Sequence, residues 1–273
     1  MQDQANHQRG FQYGVSLQAP PGPLRTRERS ELEVYFDGHD VGPGLWKWRH
    51  YFDIYDRHFQ KFVGKELHLL EVGILAGGSI GLWQHYFGDG LRFYGVDIEP
   101  GCRAYEAPGV EVLIGDQGDA AFWNRALSQL PPLDIVIDDG GHQASQQIVT
   151  LEATLPHLNP GGVYFCEDIH GTDNEFIDYV TGLSRNLNSW GTGTEPFART
   201  PIDFQRLVDS IHLYPFVTVI ERRGSTLDVL EAPKMGTQWL PWWKRRRTIR
   251  MAVEQRLRSR SRAGRDQGPD GGA

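Results

Sequence analysis

Cysteine is scarce in this chain. Cys102 and Cys166 are the only two in 273 residues, far apart and in no CxxC pattern, so neither a disulfide framework nor a cysteine-ligated zinc site is expected. Cys166, inside an aliphatic run, reads as a small buried hydrophobe. No stretch approaches the roughly 20 apolar residues of a membrane span. The polar start MQDQANHQRG lacks the apolar core of a secretory signal, which makes the cytoplasm the expected location. Two nucleotide signatures are also missing. There is no GxGxxG dinucleotide fingerprint, which counts against a nicotinamide oxidoreductase, and no GK[ST] phosphate loop. No internal repeat is visible.

What is present is ordinary in bulk and uneven in detail. A hydrophobic fraction of 39% with 11% aromatics suits one soluble globular domain with appendages. The net charge of −7 hides an asymmetry: from Pro241 to Arg265 ten Lys or Arg face one acid, Glu254, a local +9. The remainder carries 18 bases and 34 acids, or −16. The body is acidic and the tail is basic.

Residues 1–30, rich in Gln, Pro, Gly and Arg with little periodicity, read as a loosely docked arm. Residues 31–64 form a helical cap, with GLWKWRHYFDIYDRHFQKFV (44–63) carrying aromatics at helical spacing. From there aliphatic runs and helices alternate. LHLLEVG (67–73), LRFYGVDI (91–98), VEVLIGD (110–116), LDIVIDD (133–139) and VYFCED (163–168) read as strands. SIGLWQHYF, DAAFWNRALSQL and QASQQIVTLEATLPHL between them read as helices. Such alternation predicts a mostly parallel sheet with helices on both faces and a site at the carboxyl ends of its strands. Beyond residue 170, NEFIDYVTGLSRNL and PIDFQRLVDSIHLY read as loop and helix. FVTVIERRGSTLDVLEA (216–232) reads as an antiparallel hairpin turning near Arg223 and Gly224.

Three strand ends carry ligand chemistry. Glu71, Gly73, Gly77, Gly78 and Ser79 form ExGxxxGGS after the first strand, where glycines permit close backbone approach and positive φ. Asp97 ends the second strand, where a carboxylate can accept both ribose hydroxyls, and Asp116 ends the third, within reach of an adenine edge. An acid after strand two also occurs in NAD enzymes. The set fits a nucleoside ligand without a pyrophosphate. It resembles the Rossmann-like class I S-adenosylmethionine-dependent methyltransferases over about residues 65–232, which implies an α/β fold with a seven-stranded, mostly parallel sheet ending in an antiparallel hairpin. The resemblance assigns Gly73, Gly77 and Gly78 to the methionine part of the cofactor, Asp97 to the ribose and Asp116 to the adenine. Glu71, Ser79 and Asp138 complete the candidate cofactor set. The turn here is GILAGG where the family often has GxGxG.

Two further strand ends are acidic. IVIDDGGHQ (135–143) delivers Asp139 and His142, and GGVYFCEDIH (161–170) delivers Glu167, Asp168 and His170. Three carboxylates converging at adjacent strand ends suit magnesium, whose remaining positions go to water or substrate oxygens. A chelated hydroxyl is more acidic, and a neutral imidazole nearby is a base for its proton near pH 7. The plainer reading is that Asp138 or Asp139 caps a helix and that His142 is a surface residue. DDGGH followed by GGVYFCED is similar to the metal-dependent sugar O-methyltransferases of macrolide biosynthesis, the mycinose-pathway and macrocin type. That resemblance assigns Asp139, Glu167 and Asp168 to Mg2+, His142 to the catalytic base and S-adenosylmethionine to the methyl donor. WRHYFDIYDRHF resembles the helix that covers cofactor or acceptor in these enzymes, which makes His50 and Tyr51 contact candidates beside a core-packing role. His170 is kept as a substrate-contact candidate.

The tail, residues 233–273, sets three tryptophans beside an arginine cluster in QWLPWWKRRRTIRMAVEQRLRSRSR. Peripheral membrane contact, as an interfacial helix, and packing on the domain or on a second copy are both open, while the acidic body argues against nucleic acid. The expected function is Mg2+-dependent methylation of a sugar hydroxyl on a glycosylated natural product or glycolipid. The alternatives are methylation of a phenolic or other small acceptor, and a non-catalytic docking protein on the same fold.

Overall fold

The computed structural model describes residues 2–18, 28–195 and 197–236. Helices α1 (Gln2–Ser16), α2 (Glu31–Gly38) and α3 (Tyr51–Phe59) precede the first strand; α4 (Gly78–Phe87), α5 (Ala120–Leu127), α6 (Ala144–Thr154), α7 (Glu175–Leu187) and α8 (Asp203–Leu207) follow. The strands are β1 (Leu67–Val72), β2 (Leu91–Asp97), β3 (Val110–Ile114), β4 (Leu133–Asp138), β5 (Leu158–Cys166), β6 (Ala198–Arg199), β7 (Val208–Tyr214), β8 (Val217–Arg222) and β9 (Leu230–Glu231). Seven form one sheet in the order β3-β2-β1-β4-β5-β8-β7. Pairs from β3 to β5 are parallel, and β8 runs antiparallel to both β5 and β7. The expected sheet, with its antiparallel hairpin, is present.

The aliphatic runs follow from burial on both faces. Leu69, Ile135, Ile137, Val163 and Phe165 point to one side, while Leu70, Val72, Val136, Tyr164 and Cys166 point to the other, the period of two expected of strands. The first face is covered by α2, α3 and α4 through an aromatic layer of Phe52, Tyr55, Phe59, Trp83 and Phe87. The second is covered by α5, α6 and α7 through Trp123, Leu151 and Phe176. Each large apolar side chain removed from water contributes about 1.5–3 kcal/mol. The aromatic layer is therefore what fixes α3 over the strand ends.

Three expectations change. Residues 44–63 are not one helix: Gly44–His50 is irregular, α3 begins at Tyr51, and a short 3-10 turn, Gln60–Phe62, follows. This loop packs on the glycine turn: a Cβ on Gly78 would meet the Gly44 carbonyl oxygen at 2.2 Å, a closeness that glycine permits. The terminal hairpin is β7–β8, turning at Pro215–Phe216, and not residues 216–232. VDSIHLY, read as helical, is an edge strand with Ser210, His212 and Tyr214 alternating along it, and Pro215 stops it. The N-terminal arm contains α1, whose side chains from Ala5 to Ser16 are exposed. Residues 19–27 of that arm, and the Trp/Arg-rich tail from residue 237, lie outside the described residues. No helix among the described residues is long and apolar enough to cross a membrane.

The chain divides into two compact units. One holds the described residues up to Ser189 with Ile202–Leu227, and so the entire seven-stranded sheet. The other joins the described residues of Trp190–Pro201 to those from Asp228 to Gly236, where β6 and β9 pair antiparallel.

Candidate active site

A cavity of about 870 Å³ opens at the carboxyl ends of β1, β2, β4 and β5. One half of its wall is backbone. Gly73 has φ +84°, and a Cβ there would lie 2.1 Å from the Asp139 carbonyl oxygen, so only glycine lets the ends of β1 and β4 come this close. Gly77, at φ +76°, caps α4 in the left-handed region and packs on the Tyr105 ring. Asp97 braces the turn with both oxygens, accepting from Leu75 N at 3.0 Å and Glu99 N at 2.9 Å while facing the cavity. Asp116 accepts from Gly118 N at 2.7 Å and also lines the wall.

Gln117, which the sequence reading passed over, ties this half to the next. Its amide donates to Asp138 Oδ1 at 2.9 Å and Thr150 Oγ1 at 3.1 Å, and its carbonyl accepts from Gly141 N at 2.6 Å. Asp138, grouped above with the cofactor residues, is 1% exposed and also accepts from Tyr164 OH at 3.1 Å. It braces the DDGG turn from behind and is not among the residues lining the cavity.

The other half is made of side chains. Lys47, unremarked in the sequence, comes from the irregular loop before α3 and is buried among carboxylates. Its Nζ lies 2.6 Å from Asp139 Oδ2, 3.0 Å from Glu167 Oε2 and 3.5 Å from Glu71 Oε1. Burial pulls the Lys47 pKa down, but Asp139 and Glu167 more than offset this and hold it well above the usual lysine value. Burial raises the Glu71 pKa, as it does that of Glu167, where Asp139 adds to the effect; Lys47 opposes both shifts. Ser79 Oγ at 2.6 Å and Trp83 Nε1 at 3.2 Å both donate to Glu71 Oε2, so Glu71, which does not line the cavity, braces Ser79, which does. Tyr55 donates to Glu167 from α3.

Asp168 is the half-buried partner of this group. Tyr51 OH donates to its Oδ1 at 2.6 Å; His142 Nε2 lies 3.7 Å from Oδ2 and His170 Nε2 3.7 Å from Oδ1. Burial and the bond to Asp168 push the Tyr51 phenol far above its ordinary pKa, so it remains a donor. His142 and Asp168 both have φ +55°, a left-handed backbone uncommon outside glycine, and such strain gathers at working sites. His50 does not line the cavity: it meets the Pro215 carbonyl at 3.0 Å and stacks edge-on against Phe216, fixing the start of α3 to the hairpin. His170 does line it, between Trp48 and Phe216.

The donors fit a divalent metal in part. Ligand atoms of Asp139, His142 and Asp168 lie within 4.8 Å of one another, and their carboxylate oxygens are the hard donors a divalent ion takes, beside the Lys47 ammonium that faces Glu71, Asp139 and Glu167. Glu167 reaches such an ion only by sharing oxygens that Lys47 and Tyr55 already use.

No protein-family model matches the chain. Among curated proteins, 8-demethyl-8-alpha-L-rhamnosyl tetracenomycin-C 2'-O-methyltransferase of Streptomyces olivaceus is 31% identical over 236 residues, covering 76% of this chain and 61% of that protein. Demethylmacrocin O-methyltransferase of Streptomyces fradiae is 38% identical over 122 residues, covering 42% of this chain and 30% of that one. The chain resembles the antibiotic-sugar O-methyltransferases. Among solved structures, MycE methyltransferase from the mycinamycin biosynthetic pathway, in complex with Mg and SAH, superposes with a TM-score of 0.58 at 27% identity, over 73% of this chain and 54% of that one. The fold is that of the class I methyltransferases. The chain spans 61% of the tetracenomycin relative and about half of MycE, so both are considerably longer proteins.

Proposed function

We propose that this chain transfers a methyl group from S-adenosylmethionine to a hydroxyl of a sugar carried by a glycosylated natural product, with Mg2+ as cofactor. The observation that carries the proposal is one cavity with two different walls. A glycine turn with Asp97 and Asp116 supplies a nucleoside seat, and Asp139, His142, Glu167 and Asp168 supply an oxygen-rich, imidazole-bearing cluster beside it. The similarity to sugar O-methyltransferases supports the same reading.

Asp139 and Asp168 would hold the ion, with Glu167 sharing its oxygens between ion and lysine. Bound there, the metal would chelate vicinal hydroxyls of the acceptor and lower their pKa. Lys47 pairs with Asp139 and Glu167 and holds their carboxyl groups in place, and Tyr51 does so for Asp168 by hydrogen bonding. His142 Nε2 takes the hydroxyl proton, and the Asp168 carboxylate 3.7 Å away stabilises the resulting imidazolium. Methyl transfer is an in-line displacement at carbon, so alignment of hydroxyl and sulfonium by the two walls supplies much of the rate. Trp46, 89% exposed, and Trp48 add apolar surface at the cavity for the acceptor's aglycone.

The test is isothermal titration with S-adenosylmethionine and its demethylated product, in magnesium and in chelator, followed by transfer of labelled methyl to a panel of glycosides and catechols. Binding of both cofactor forms with magnesium-dependent labelling of a glycoside is the expected result. Labelling of catechols alone would replace the sugar acceptor with a phenolic one. Absence of cofactor binding would end the methyltransferase reading.

A further inference from the structure

Away from the cavity, α3 meets the edge hairpin through a second cluster of metal-type donors. Ser210, His212 and Tyr214 share one face of β7, and Glu221 of β8 pairs directly across from Ser210. His58, on α3 and only 3% exposed, sits over them. His58 Nδ1 lies 3.1 Å from Glu221 Oε1, His212 Nε2 lies 4.0 Å from Glu221 Oε2, and one ligand atom from each residue falls within 4.8 Å of the others. None of the three lines the cavity.

We propose that His58, His212 and Glu221 form a binding site for a first-row divalent ion, zinc in the first instance. Two imidazoles and one carboxylate suit zinc, and the imidazoles make the set unsuited to magnesium. A tetrahedral zinc with bonds of roughly 2.0–2.2 Å sets its ligand atoms about 3.3–3.6 Å apart. His58 and Glu221 already stand near that spacing, and His212, on the more open side, has to close in from 4.0 Å to Glu221 and from within 4.8 Å of His58.

The surrounding contacts are those of a supported site. Tyr214 OH meets His58 Nε2 at 3.0 Å and fixes the ring with Nδ1 toward Glu221, the outer-shell role commonly played for a metal-binding histidine. Ser210 Oγ meets His212 Nε2 at 2.9 Å and Glu221 Oε2 at 3.3 Å; because Nε2 is the nitrogen that would bind the ion, this hydroxyl gives up its bond to the imidazole and keeps the one to Glu221. Lys61 Nζ, 3.3 Å from Glu221 Oε1, is a second group an ion must displace, and its side chain is 44% exposed and able to extend into water. With three protein ligands, the fourth position is left to water. Occupancy would join α3, which carries Tyr51 and Tyr55 to the catalytic carboxylates, to the hairpin at the edge of the sheet.

The experiment uses the full chain without a histidine tag, stripped with chelator and titrated with cobalt(II) and then zinc. Tetrahedral cobalt absorbs strongly in the visible, so the spectrum reports geometry as well as binding. Wild type should give tetrahedral bands that zinc abolishes, and its melting temperature should rise with zinc. His212→Ala and Glu221→Gln should each bind one equivalent less and lose the zinc-dependent rise, while His142→Ala, altered in the cavity cluster, should keep both. His212→Ala is the primary variant because His212 is partly exposed, whereas replacing buried His58 risks the fold. Absence of tetrahedral bands in wild type, their loss in His142→Ala, or their persistence in both His212→Ala and Glu221→Gln overturns the proposal.

Discussion

The two walls of the cavity are built by opposite means. Around Gly73–Ser79 the wall is main chain, and the side chains that matter, Asp97 among them, serve to hold backbone N–H groups in position. Around Asp139–Asp168 the wall is side chains, drawn together from segments separated by as many as 120 positions, as Lys47 and Glu167 are. The first kind of wall is a local motif whose shape depends on what cannot be added to it. The second is a charge balance, and depends on what cannot be removed.

Substitutions on each side should therefore fail differently. Lys47→Met leaves Glu71, Asp139 and Glu167 facing one another without their ammonium, and breaking a buried ion pair from one side costs about 3–5 kcal/mol. Chemical denaturation should show that loss, and a variant as stable as wild type would mean that the carboxylates find another counter-charge. Gly73→Ala should abolish cofactor binding by titration: the new methyl strikes the Asp139 carbonyl, and a left-handed non-glycine residue adds about 1–3 kcal/mol of strain. Because Asp139 belongs to the other wall, retained cofactor binding with lost metal dependence would show the walls to be coupled more tightly than their construction suggests.

His142→Ala sharpens the comparison further. Cofactor affinity should hold steady while turnover falls by about 10²–10⁴-fold, the usual contribution of a positioned base. Full turnover at neutral pH would remove His142 from that role. The smallest effect is expected at Cys102, beneath the glycine turn with Sγ 3.6 Å from the Leu75 carbonyl. Burial and Asp97 raise its thiol to about 11, so the thiolate fraction becomes large only as pH passes that value. In the folded protein at pH 8 a maleimide should leave Cys102 unlabelled, with rapid labelling on denaturation.

Legibility in the sequence followed the same division. The sheet, its order of burial and the glycine turn were readable because a strand buried on both faces leaves an unbroken aliphatic run, and a turn needing positive φ leaves glycines. Asp139, His142, Glu167 and Asp168 were readable as charge at the ends of such runs, and the cavity gathers all four. Lys47 was not, because GLWKWRHYF carries its aromatics at helical spacing and a lysine among them looks like a solvated face. Only the third dimension shows three carboxylates waiting for it. Gln117 was hidden for a related reason, since a glutamine after a strand has no preferred partner in the chain, yet here it joins Asp138, Thr150 and Gly141. The β7 edge strand was misread because its alternation, half polar and half apolar over seven residues, is too short to tell from a helix face.

The left-handed backbone at His142 and Asp168 bears on how this protein would respond to engineering. Glycine at either position relieves the strain that an L-residue carries there, so a campaign selecting only for heat resistance would drift toward replacing these two residues. Thermal tolerance and turnover would then move in opposite directions at the same two positions, and a library scored on melting temperature alone would discard the proposed chemistry first.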